Sequence, residues 1–164
     1  MAIPDAFTAP KTEAYYELRK NGFLISTNPA LLDLKAIHRY LSQESYWAQH
    51  IPADVVARAL QNSLVFGLYE NETQIGLARL ITDRAVFAYI CDVFVLPEFR
   101  GKGLSKWLMR GMLAHPDLQN LRKWMLATKD AHGLYAQFGF TPVAAPDRLM
   151  ERSNPNAYQK KPQS

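Results

Sequence analysis

The chain has 164 residues, 48% of them apolar and 21% charged, which suits one globular domain with a sizeable core and leaves no low-complexity block or internal repeat. A formal charge of +4 fits an anionic ligand without excluding nucleic acid. The single cysteine, Cys91, excludes an internal disulfide framework. No apolar run reaches the length of a membrane span, and the first residues lack the basic-then-apolar pattern of a secretory signal, so a soluble cytoplasmic protein is the expectation.

Residues 1–21 are expected to form an N-terminal extension, its first part loosened by two prolines. Phe23-Leu24-Ile25-Ser26-Thr27 predicts a first strand. Asn28-Pro29 turns the chain, and Ala30 to Leu41 predicts a helix with Leu31, Leu34, Ile37, His38 and Leu41 on one face. His38 there is expected to pack and hydrogen-bond, not to ligate. Tyr46 and Trp47 sit in a connection before Pro52, which opens a second helix to about Gln61. Strands at 64–70 and 73–82 flank an Asn71-Glu72 hairpin turn, and Asp83-Arg84 turns the chain again into an apolar strand at 86–96. The three form an antiparallel meander.

Pro97 ends that strand, and Gly101 and Gly103 allow a tight turn. From Leu104 the apolar residues change to helical spacing (Leu104, Trp107, Leu108, Met112), until His115-Pro116 stops the helix. A short strand at 124–128 follows, then a helix at 130–138 closed by Gly139. Phe140–Val143 and residues 148–152 are expected to supply the last strand, and 153–164 a loose tail. The order β-α-α-β-β-β-α-β-α-β defines an α/β protein of the α+β mixed-sheet type, helices packed on the sheet. Periodicity does not fix the strand order.

A glycine turn that opens a helix presents unpaired N–H groups and the positive end of the helix dipole, a seat for phosphate. Arg100, Lys102 and Lys106 add positive charge around it. The patterns G-x-x-x-x-G-K-[ST] and G-x-G-x-x-G are both absent, which argues against a nucleoside triphosphatase or a dinucleotide site. Instead, R-x-x-G-x-S runs from Arg100 through Gly103 to Ser105, after a strand ending Val93-Phe94-Val95-Leu96-Pro97. This combination resembles the GNAT N-acetyltransferase superfamily, whose pyrophosphate loop is written [QR]-x-x-G-x-[GA] after V-x-V-x-P. Ser105 departs from the last position, but serine is small. Ala131 to Phe140 is similar to a second family segment, A-x-x-L-Y-x-x-x-G-F. The resemblance covers residues 22–152.

It implies an acetyl-CoA-dependent N-acetyltransferase that moves the acetyl group directly to a primary amine, with acetyl-CoA as co-substrate and no metal. The backbone of Gly101, Lys102, Gly103, Leu104 and Ser105, with Arg100 beside it, is expected to hold the pyrophosphate. By the same resemblance the main chain of Val93 and Val95 would hold the pantetheine arm, in a slot opened by the splay of this strand from the next. Thr128 stands where the family often has an asparagine that bonds that arm.

Tyr135 matches the family's tyrosine near the sulfur. A phenol is protonated at neutral pH and can donate to a leaving thiolate. Asp92, among apolar neighbours, is the candidate general base, its alternative a structural pair with Arg79 or Arg84. By simple alternation it shares a face with Ile90 and Phe94, opposite Val93 and Val95. His132 is a second candidate base, and Asp130 a helix cap or a catalytic group. Tyr46 and Trp47 are candidate acceptor-pocket residues. The four histidines and one cysteine show no metal-ligand spacing.

The acceptor is a small-molecule amine or an amine of a peptide or protein, and the residues do not choose between them. Two other readings compete with catalysis. One is a non-catalytic acyl-CoA-binding domain. The other, disfavoured, is a nucleic-acid binder using Arg100, Lys102, Lys106 and Arg110. No membrane partner is expected, and the chain is expected to be a monomer or a homodimer.

Overall fold

The computed structural model describes residues 15–158. Six strands form one sheet in the order of the chain: β1 (Glu17–Lys20), β2 (Phe23–Ser26), β3 (Leu64–Glu70), β4 (Thr73–Thr82), β5 (Phe87–Val95) and β6 (Lys123–Leu126). Neighbours pair antiparallel except β5 and β6, which run parallel. The sheet begins at Glu17, ahead of the boundary expected at residue 22. Asn21 and Gly22 both have positive φ (48° and 82°), the geometry of a two-residue turn that matches strand twist, and they join β1 to β2. Three of the four β1 residues are charged, as suits an exposed edge.

Both faces of the sheet are covered, so β3 is buried at six consecutive residues. Helix α3 (Leu104–Leu113) packs Leu108, Met109 and Met112 onto one face, against Ile25, Phe66, Leu68, Leu80 and Ile90. The other face carries α1 (Leu34–Arg39) and α2 (Ala53–Gln61), where Ile37, Tyr40, Leu41 and Val56 meet Val65, Leu77 and Phe94.

The helix expected at 30–41 begins later than its periodicity suggests. Pro29–Leu31 makes a separate tight turn, and the Asp33 carboxylate caps α1 by accepting from the Ala36 N–H at 3.0 Å. Leu31 and Leu34 are therefore exposed. A wider π-helical turn, Tyr40–Glu44, follows α1. It seats Tyr40 flat on Phe94, ring centroids 3.9 Å apart. His38 is structural: its Nε2 lies 2.9 Å from the Ile51 carbonyl oxygen.

The expected strand at 140–143 and 148–152 is absent among the described residues. Pro142 and Pro146 cannot donate to a ladder, a tight turn occupies Pro146–Arg148, and Val143, Leu149 and Met150 are exposed. No helix among the described residues is long and apolar enough to cross a membrane. Among them too, no group of three or more His, Cys, Asp or Glu side chains gathers as metal ligands would.

Tyr69 constrains the middle of the sheet. Its ring lies over Gly67, so that a Cβ at 67 would overlap the hydroxyl and adjoining ring carbons, and at 2% exposure the ring has no room to swing away. Gly67→Ala is expected to destabilise the fold by about 1–3 kcal/mol, the usual range for overpacking, read as a lower urea midpoint with an unchanged slope.

Candidate active site

Strand β5 organises the site because it is irregular. Cys91 pairs with Arg79 and Phe94 with Leu77, so Asp92 and Val93 together oppose Ala78 alone. This is a β-bulge, and Asp92 takes a φ of 50° within it. Aspartate tolerates the left-handed region better than most residues. The bulge resets the alternation. Ala88 and Ile90 point to the α3 core before it, Val93 and Val95 after it, while Phe94 turns to the α1–α2 core. The single-face reading that grouped Asp92 with both Ile90 and Phe94 is therefore corrected: Ile90 and Phe94 lie on opposite faces.

The bulge also ends the partnership with β6. The parallel ladder runs from Phe87–Lys123 to Ile90–Leu126 and stops, while β5 continues to Val95. The opening beyond it holds a cavity of about 420 Å³. It is lined by β5 from Tyr89 to Val93, by Ala127–Ala131 after β6, and by Tyr135, Tyr46 and Trp47. A second cavity of about 270 Å³ lies farther along β5, between Val95, Leu134 and the turn at Phe99–Lys106. Strand β5 and helix α4 (His132–Ala136) wall both.

At the second cavity the turn takes the shape its glycines permit. Gly101 and Gly103 have φ of 78° and 74°. The first hydrogen bond of α3 runs from the Trp107 N–H to the Gly103 carbonyl, so the N–H groups of Leu104, Ser105 and Lys106 have no acceptor within the helix. This is the feature an anionic phosphate needs, and Gly101, Gly103, Leu104 and Ser105 line it. Two cations stand differently. Arg100 lines the cavity but spends its guanidinium inward, Nε donating to the Val95 carbonyl at 3.0 Å and Nη2 to the Tyr40 hydroxyl at 3.1 Å. The Lys102 ammonium rests over the rings of Phe99 and Phe23, 5.2 and 5.8 Å from their centroids.

At the first cavity Asp92 is fully engaged. Its Oδ2 accepts from Arg79 Nε at 2.6 Å and its Oδ1 from Trp47 Nε1 at 2.9 Å. Arg79 Nη1 donates onward to Ser63 Oγ at 3.0 Å. Of the two roles open to Asp92, this geometry is that of the pair with Arg79, which also holds Trp47 in place.

Thr128 Oγ1 accepts from the Ala131 N–H at 3.0 Å, closing the turn that leads into α4, whose N-cap is Ala131 with no side-chain capping bond, so the Asp130 carboxylate does not cap the helix. The Lys129 N–H donates to the Tyr46 hydroxyl at 3.0 Å, tying the end of β6 to the aromatic wall. His132 begins α4 on its exposed side and does not line either cavity.

Tyr135 is 9% exposed, and its hydroxyl forms no hydrogen bond among the described residues. Burial pushes its phenol up to about 12, and the nearby Tyr46, Asp130 and Cys91 add to the rise. Burial likewise pushes the Cys91 thiol up to about 11, so it is no thiolate nucleophile at neutral pH. Tyr89, Cys91 and Lys129 join the cavity without a sequence pattern that singles them out, although Tyr89 and Cys91 are alternation partners on β5; Asp130, a candidate from the sequence, lines it too.

The family profile described as an acetyltransferase (GNAT) domain matches residues 61–142, which holds β3 to β6, the bulge, the phosphate turn and α4. The chain belongs to the GNAT acetyltransferase family. A candidate acetyltransferase of Gibberella zeae is 35% identical over 140 residues, covering 72% of this chain and 78% of that one. The crystal structure of a candidate GNAT acetyltransferase from Xanthomonas campestris pv. campestris superposes with a TM-score of 0.82 at 54% identity, covering 84% of this chain and 97% of that one. A GNAT acetyltransferase of Elizabethkingia anophelis, solved with acetyl-CoA bound, shares the fold at a TM-score of 0.57 and 16% identity, covering 80% and 88%. The chain is thus a GNAT-type acyltransferase, and acetyl transfer is its reaction class. In a GNAT frame the split between β5 and β6 and the open start of α3 lie where the sequence resemblance expects the acyl donor.

Proposed function

We propose that the protein transfers an acetyl group from acetyl-CoA directly to a primary amine. The observation that carries this reading is the placement of Tyr135. Its protonated phenol lines the cavity in the β5–β6 split, and the open N-terminus of α3 lies farther along the same strand. In this reading the amides of residues 101–105 hold the pyrophosphate, and the main chain of Val93 and Val95 bonds the pantetheine arm. The acetyl thioester supplies the electrophilic carbon: the nitrogen of the free amine bonds to it, the C–S bond breaks, the thiolate takes a proton from Tyr135, and the proton that the nitrogen sheds passes through water to restore the phenol. Asp92 serves as a positioning residue that fixes Trp47, since both its oxygens already accept hydrogen bonds.

The test is release of free CoA thiol from acetyl-CoA in the presence of primary amines, with the acetylated amine identified by mass. Amine-dependent release supports transfer. Tight acetyl-CoA binding without release across the amines would favour a non-catalytic acyl-CoA-binding domain.

Tyr135→Phe retains the ring that meets Phe140 edge to face at 6.0 Å and removes only the donor. Folding stability and acetyl-CoA affinity should change little, while turnover, measured where chemistry limits the rate, should fall about 10²-fold or more. Because burial holds the phenol protonated until pH approaches about 12, Tyr135 should impose no alkaline limb on activity in the neutral range. A limb near neutrality that vanishes in Tyr135→Phe would contradict this.

A further inference from the structure

The wall of the first cavity that lies away from the phosphate turn carries aromatic rings and one carboxylate without a partner. Tyr46 and Trp47 are 47% and 40% exposed and meet edge to face, centroids 5.0 Å apart. They are exposed yet held: the Trp47 N–H is bound by Asp92, its ring tilts against Tyr40 at 6.4 Å, and the Tyr46 hydroxyl accepts from the Lys129 N–H. Two fixed, solvent-facing rings at a cavity mouth form a ready platform for a flat apolar group or for a cation over a ring face. Being held, they lose little freedom when a ligand lands on them.

The charges at this wall are few. Asp92 is neutralised by Arg79 at 2.6 Å. The Lys129 ammonium lies over the Tyr46 ring, 5.7 Å from its centroid. Asp130 lines the cavity with no hydrogen bond or ion pair among the described residues, and its charge is felt at the hydroxyls of Tyr135 and Tyr40. Free negative charge thus sits within reach of both Tyr135 and Tyr40, and a positive charge sits over the Tyr46 ring.

Resting on the amine reading above, we infer that this wall selects a primary amine whose ammonium is its sole charge, carried on a flat, ring-bearing apolar body. Asp130 draws the ammonium toward Tyr135, and Tyr46 with Trp47 holds the ring. An amino acid brings a carboxylate toward Asp130. A polyamine sets a second ammonium beside Lys129 and leaves the rings without an apolar partner.

The test is calorimetric titration of the full chain, in the presence of CoA, with 2-phenylethylamine, phenylalanine and spermidine. The expected result is that 2-phenylethylamine binds most tightly, that Asp130→Asn weakens it about tenfold or more, and that Asp130→Glu restores part of the loss. The exposed position of Asp130 makes Asp130→Asn safe for folding. Failure of 2-phenylethylamine to bind, equal binding by Asp130→Asn, or tighter binding of phenylalanine or spermidine overturns the inference. Adding acetyl-CoA separates it from the reading beneath. Asp130-dependent binding of 2-phenylethylamine without an acetylated product leaves this inference standing and refutes the proposed transfer to a primary amine. Acetylation of spermidine in preference keeps transfer and refutes this inference.

Discussion

Gly103→Asp is expected to abolish the rise in melting temperature that acetyl-CoA gives the wild-type protein. A ligand at one hundred times its dissociation constant stabilises the folded state by about 2.7 kcal/mol, so the wild-type shift should be several degrees. Gly103 sits at φ 74° and ψ 11° immediately before α3, where a left-handed conformation costs a non-glycine residue roughly 1–2 kcal/mol. A Cβ there meets nothing within 4 Å, so there is no steric barrier to folding, and a carboxylate at a helix start is itself favourable to the dipole. The variant should therefore fold. Its carboxylate, however, takes the place of the phosphate and repels it. Gly103→Ala has the same backbone strain without the charge. It should melt lower than wild type yet keep a shift with acetyl-CoA. An undiminished shift in Gly103→Asp would move the pyrophosphate away from residues 101–105.

The second large effect is expected at Arg79. Its pair with Asp92 is nearly buried, with side-chain exposures of 14% and 11%. Removing one partner leaves an uncompensated charge out of water, which costs roughly 3–5 kcal/mol. Arg79→Ala should show that loss by denaturant unfolding, and amine turnover should fall with it because Trp47 loses its anchored partner. Asp92→Asn is gentler. Asparagine also tolerates φ near 50°, and its carbonyl oxygen can still accept one bond. Arg79→Met combined with Asp92→Asn leaves no buried charge, and should cost less stability than the sum of Arg79→Met and Asp92→Asn measured singly. That non-additivity would establish that the two groups act as a unit. Additive losses would mean that they are independent and that the geometry at the bulge matters less than the ion pair suggests.

The central strands and the phosphate turn are legible in the sequence because their signals are local. Asn71-Glu72 punctuates two apolar runs whose bounds, 64–70 and 73–82, are those of β3 and β4. Gly101, Gly103 and the change of period at Leu104 mark the start of α3. Strand β1 lies in the stretch expected to be an N-terminal extension: the charged residues Glu17, Arg19 and Lys20 hide it, and the Asn21-Gly22 turn is the signal that could have found it.

The bulge is a different matter. The run from Phe87 to Val95 contains no glycine or proline, so nothing in its pattern reports that Asp92 turns left-handed and that the faces exchange after it. The partners of Asp92 are also hidden. Arg79 is thirteen residues away and Trp47 forty-five, and long-range pairing of this kind is a product of strand register and of the π-helical turn after α1. Tyr135 could be placed from its helix stripe, whereas the freedom of Asp130 depends on α4 starting at Ala131 without a side-chain cap, after a turn closed by Thr128.

The most direct measurement of the central claim is a pair of amide spectra of uniformly nitrogen-15-labelled protein, recorded with and without acetyl-CoA. The split between β5 and β6 and the open start of α3 predict one continuous set of shifted amides, running from Cys91, Val93 and Val95 on β5 to Gly101–Lys106, with Tyr135 beside them. The β1–β2 hairpin should stay where it is. Largest shifts at Gly101–Lys106 together with Val93 and Val95 are the predicted result. Shifts confined to the hairpin or to α2, with β5 and the start of α3 unmoved, would contradict the account.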